Sequence, residues 1–77
     1  MGRPRKGDPI WVYWRDITAD SIGDPNDARC WKARTLCIFV KWRGNDLIVS
    51  GTQGLEDGDF YGWDIFPKGV IKKIKRI

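Results

Sequence analysis

Apolar and polar residues alternate with a period of two along much of this chain, the spacing of strands buried on one face. Ile10-Trp11-Val12-Tyr13-Trp14-Arg15 consists almost entirely of β-formers and predicts a first strand. Ile10, Val12 and Trp14 share one of its faces; Trp11, Tyr13 and Arg15 share the other. Residues 32–43 form the longest strand candidate, with Leu36, Ile38, Val40 and Trp42 on one side and Thr35, Cys37, Phe39 and Lys41 on the other. Gly44-Asn45-Asp46 is a short turn leading into Leu47-Ile48-Val49-Ser50, the clearest hairpin in the chain. Phe60 to Phe66 predicts a fourth strand, with Tyr61, Trp63 and Ile65 on one face. In residues 70–77 the apolar positions Val70, Ile71, Ile74 and Ile77 fit helical spacing as well as alternation. The short length, the β-branched content and the preceding Pro67-Lys68-Gly69 turn decide for a strand.

Two polar stretches interrupt the strands. Asp16 to Arg29 carries the turn cluster Gly23-Asp24-Pro25-Asn26-Asp27 and reads as a long exposed loop. Gly51 to Asp59, with glycine at 51, 54 and 58, reads as a second. Four or five short strands predict an all-β fold of the SH3-like or OB-like kind, and five strands with a long first loop and a central hairpin favour a small five-stranded antiparallel SH3-like barrel over residues 10–77. Residues 1–9 hold two Pro and two Gly and predict a flexible basic arm.

Composition narrows the possible chemistry. Five Trp, three Phe and two Tyr in 77 residues suit a small core that needs bulky side chains. The net charge of +4 is unevenly placed: residues 1–9 carry +2, residues 67–77 carry +5 and the stretch between them −3. Basic ends on a mildly acidic body favour a polyanionic partner. The plainer reading is a solvated tail and a lysine-rich edge strand that resists aggregation. There is no histidine to act as a base near neutral pH, and Ser21 and Ser50 have no recognisable catalytic partner, which argues against an enzyme. Cys30 and Cys37 form no CxxC pair, so a zinc site is not expected, and two reduced thiols fit a cytoplasmic protein. Asp16, Asp20, Asp24 and Asp27 do not have calcium-loop spacing, and Glu56, Asp57 and Asp59 would repel a phosphate at the glycine-rich loop. No cofactor, metal, small-molecule substrate or membrane span is expected.

Gly2-Arg3-Pro4-Arg5-Lys6 resembles an AT-hook. The resemblance implies that Arg3 and Pro4 enter the minor groove of A·T-rich DNA while Arg5 and Lys6 hold its backbone. Met1 stands where that family usually has a further basic residue. The body resembles small uncharacterised bacteriophage-encoded proteins. The shared features are Trp14-Arg15-Asp16 at the end of the first strand, the polar loop leading to Trp31, the hairpin 35–50 and the ending Pro67-Lys68-Gly69-Val70-Ile71-Lys72-Lys73-Ile74. That resemblance implies a small β domain at work in the cytoplasm of a bacterial host, and no activity. The favoured expectation is a non-enzymatic DNA-binding module that uses Arg3, Pro4, Arg5 and Lys6 with Lys72, Lys73, Lys75 and Arg76 on the last strand. The alternative is a protein-interaction module that docks on a host protein through exposed Trp11, Tyr13 and Phe39, residues equally suited to stacking on unpaired bases. A third expectation is an aromatic cage for a cation, built from Trp11, Tyr13, Trp42 and Tyr61.

Overall fold

The structure, a computed structural model, describes residues 3–16 and 31–77. Strands β1 (Pro9–Asp16), β2 (Trp31–Arg43), β3 (Asp46–Ser50), β6 (Asp64–Pro67) and β7 (Ile71–Arg76) form one antiparallel sheet in the order β6-β3-β2-β1-β7. Strands β4 (Thr52–Gln53) and β5 (Phe60–Tyr61) form a separate two-stranded ladder. A 3-10 turn over Lys68–Val70 carries the chain from one edge of the large sheet to the other.

Alternation places Ile10 and Val12 of β1, Cys37 and Phe39 of β2, Leu47 and Val49 of β3 and Phe66 of β6 in one buried cluster. Trp14, Ile71 and Ile74 pack against it. The sheet provides its own second layer by curling. Between β6 and β1 lie two strands, a distance of about 14 Å across a flat sheet. The rings of Phe66 and Trp14 nevertheless sit 5.5 Å apart at an interplanar angle of 59°. The Trp14 indole N–H donates to Thr35 Oγ1 at 2.9 Å, which satisfies its one polar atom within the curled interior.

Several expectations change. The sheet is open, because among the described residues its edge strands β6 and β7 pair with no further strand, so the expected barrel is not closed. Phe39 is in the core, only 7% exposed. The reason is the register. Phe39 opposes Val49 and Lys41 opposes Ile48, which leaves Val40 as an extra residue in a β-bulge. The bulge lets Phe39 and Val40 both be buried, and after it Trp42 shares a side with core residue Leu47, while Leu36 is 55% exposed. The expected strand 60–66 is broken at Gly62, whose φ of +79° no strand residue adopts, so Phe60–Tyr61 and Asp64–Pro67 join different sheets. The second loop contains β4. The basic arm ends earlier than expected: Gly7 N–H donates to the Phe39 carbonyl and Phe39 N–H to the Asp8 carbonyl, both at 2.8 Å, so residues 7 and 8 already line β2. The loop expected at Asp16 to Arg29 lies outside the described residues beyond Asp16.

Candidate nucleic-acid interface

The outer face of the sheet is built by the same alternation that builds the core. Residues opposite one another in an antiparallel ladder project to the same side. Trp11 opposes Leu36 on β2 and Lys75 on β7; Tyr13 opposes Arg34 and Lys73; Arg15 opposes Lys32. These residues therefore share the side away from the core. Trp11 and Tyr13, two residues apart, are spaced about 6.8 Å along the strand.

Cations cap both rings. The Arg34 guanidinium carbon stands 4.2 Å from the Trp11 ring centroid, and Lys73 Nζ stands 4.6 Å from that of Tyr13. Arg34 also holds the Tyr13 phenol below its ordinary value of 10.0, first by a side-chain hydrogen bond. Partial loss of solvent opposes that shift, and the charges of Arg34, Lys73 and Lys75 add to it. Arg15, Lys32, Arg34, Lys73 and Lys75 are all exposed. Among the described residues, no carboxylate opposes them in these ladders.

The expected basic residues separate into two groups. Lys73 and Lys75 join the aromatic face, while Lys72 falls in the irregularity between the Tyr13–Lys73 and Trp14–Ile71 pairs. Arg76 opposes core residue Ile10 and makes an ion pair of 3.5 Å with Asp8. That pair, with the Ile77 N–H to Pro9 carbonyl bond of 3.3 Å, brings the two basic ends together. In the arm, Arg5 and Asp8 close a turn: Arg5 N–H donates to Asp8 Oδ2 at 2.8 Å and Asp8 N–H to the Arg5 carbonyl at 2.9 Å. Lys6 Nζ lies 5.7 Å from the Phe60 ring centroid, and Arg3 is exposed with Pro4 half-buried beside it. Trp11 and Tyr13 are half-buried beneath their cations, and Phe39 is withdrawn into the core.

The cage residues do not share a surface. Trp42 lies on the Leu47 side of the sheet, and the Tyr61 hydroxyl donates to Asp57 in the β4–β5 hairpin. Arg15, Lys32 and Arg34 were missed as site residues. Their signal is the same alternation that marks Trp11 and Tyr13, but only the β1–β2 register makes them neighbours.

Past this platform, Ser50 opposes Ile38, and its hydroxyl donates to the carbonyls of Thr52 at 3.0 Å and Tyr61 at 3.2 Å. The β4–β5 hairpin therefore lies over the outer side at this point. Beyond it, Lys41, Arg43, Ile48, Trp63 and Ile65 line an open groove of about 340 Å³. In comparison with known proteins, the chain matches no family model, no curated protein and no solved structure.

Proposed function

We propose that this chain is a non-enzymatic nucleic-acid-binding module that holds an unpaired strand across β7, β1 and β2. The observation that carries the reading is the Trp11–Tyr13 pair, with Arg34 and Lys73 over the rings and Arg15, Lys32 and Lys75 around them. Once Arg34 and Lys73 swing from the rings to the phosphates, unpaired bases stack on such rings whatever their sequence. A duplex offers its base faces to neither ring, so Trp11 and Tyr13 favour a single strand. The basic arm would add phosphate contacts through Arg3, Arg5 and Lys6. A minor-groove role for Arg3 and Pro4 is the second use of the same arm. The curled sheet, with its central hairpin and a last strand returning beside the first, supports an SH3-like architecture. A host-cell cytoplasmic role of the phage-encoded kind belongs to the same proposal.

Fluorescence anisotropy with labelled oligo-dT and with A·T-rich and G·C-rich duplexes, each at two salt concentrations, tests this. If about four phosphates are neutralised, log K falls with log salt at a slope near −3 for the single strand. Trp11→Ala should weaken oligo-dT binding by about 1–3 kcal/mol, the worth of one stacked base. Lys73→Gln with Lys75→Gln should flatten the salt slope. Absence of oligo-dT binding at low salt would overturn the reading. Tighter binding to A·T-rich duplex that depends on Arg3 would move the function to the arm.

A further inference from the structure

The groove beyond the hairpin and the tip of the hairpin have opposite surface chemistry. Ile48 lies at the groove floor, only 6% exposed, while Trp63 and Ile65 are 57% and 51% exposed. Lys41 and Arg43 place cations at one side, Arg43 shared with Asp46 in an exposed ion pair of 3.8 Å. Lys41 opposes Ile48 and Ile48 opposes Ile65, so the three residues form a row across β2, β3 and β6. The groove is thus a hydrophobic slot with positive charge along one side.

The hairpin tip reads Leu55-Glu56-Asp57-Gly58-Asp59. Leu55 is 99% exposed, so it does not fill the groove of its own chain. Glu56, Asp57 and Asp59 are exposed beside it. The tip is held in shape. Gly54 N–H donates to the Asp59 carbonyl at 2.8 Å, Gly58 N–H to the Gly54 carbonyl at 2.9 Å, and Asp57 Oδ1 accepts from Asp59 N–H at 2.9 Å. The Tyr61 hydroxyl occupies the other Asp57 oxygen. A pre-formed loop loses little further freedom when it docks.

We infer that the groove of one copy receives the hairpin tip of a second copy, with Leu55 against Ile48, Ile65 and Trp63 and the tip carboxylates facing Lys41 and Arg43. Apolar anchor meets apolar slot, and negative charge meets positive, within one sequence. Each contact joins two different patches, and two copies that exchange tips make it twice about a two-fold axis, so the closed dimer as a whole is isologous. The proposed nucleic-acid platform lies across the hairpin from this groove, on the same face of the sheet.

Sedimentation velocity of the full chain, freed of nucleic acid and run from dilute to concentrated solution, tests this. The wild-type protein should gain mass with concentration. Leu55→Asp and Ile65→Glu should each weaken every tip–groove contact about 30-fold, as loss of a central anchor does. Mixing the two variants should recover part of the association that neither shows alone, because one intact tip then meets one intact groove. Lys41→Glu with Arg43→Glu should weaken association too, and added Glu56→Lys with Asp59→Lys should recover it, a readout independent of how Ile65→Glu folds. A wild-type chain that stays monomeric throughout, association indifferent to Leu55→Asp, or a variant mixture no more associated than its components would each overturn the inference.

Discussion

At the scale of single residues, environment sets what each side chain can do. The two tyrosines have opposite surroundings. Arg34 holds the Tyr13 phenol below its ordinary value, while the hydrogen bond to Asp57, ahead of a smaller desolvation effect, raises that of Tyr61. The ring resonances of Tyr13 should therefore titrate at lower pH than those of Tyr61 when followed by NMR. A bound polyanion should move Tyr13 back up by neutralising its cations, and leave Tyr61 in place. Cys37 is 5% exposed, and burial, helped by the charge of Asp64, pushes its thiol from 9.0 up to about 11. Because the raised value belongs to the folded chain, protonated Cys37 supports the fold below about pH 9, and this support is lost as pH climbs through about 11. Peptide mapping after thiol labelling near pH 8 should find Cys37 unmodified in the folded chain and modified in denaturant. Trp11 and Tyr13 were legible in the sequence because alternation alone puts them opposite Ile10 and Val12. Phe39 was not: alternation groups it with Cys37, and only the pairing of Cys37 with Ile10 and of Phe39 with Val49 shows that this side, rather than the more apolar side of Leu36 and Ile38, faces the core.

Among the elements, the best specified is the β2–β3 hairpin. Its two-residue turn places Gly44 at φ +61°, the left-handed region a non-glycine residue enters only at a cost of roughly 1–2 kcal/mol. Gly44→Ala should lower stability by about that amount in urea denaturation, with no loss of contact, since nothing lies within 4 Å of a Cβ placed there. The hairpin was readable because Gly44-Asn45 separates two long β-rich runs. The β4–β5 hairpin was not, because strands of two residues carry no periodicity. Its place is set by Ser50 bonding Thr52 and Tyr61, contacts remote from any local pattern. The tip of that hairpin depends on a carboxylate. Asp57 titrates below its ordinary value of 3.8, chiefly through the Tyr61 hydroxyl and then the Asp59 N–H, with desolvation opposing. A lowered folded value stabilises the tip above about pH 4 and is lost as pH falls through the lowered value. Exchange of the Asp59 amide should accelerate on acidification, and Tyr61→Phe should remove most of that pH dependence.

For the whole molecule, one contact across the curl matters out of proportion to its size. Phe66 and Trp14 close the interior between strands that no hydrogen-bond ladder joins directly. Phe66→Ala should cost about 3–5 kcal/mol, and a 77-residue chain has only about 4–11 kcal/mol in total, so urea denaturation should find it near the edge of unfolding. The strand count of the large sheet followed from the sequence, while its openness did not, since edge pairing depends on how far a sheet curls. The meeting of the ends has a mechanical consequence. Asp8 and Pro9 at the start of β1 lie beside Arg76 and Ile77 at the close of β7. Tension applied between these points would open the β1–β7 ladder like a zipper, one bond at a time, rather than shear all of it at once. Such a sheet yields to small forces, and when β7 peels away it takes Lys73 off the Tyr13 ring while Arg34 stays over Trp11.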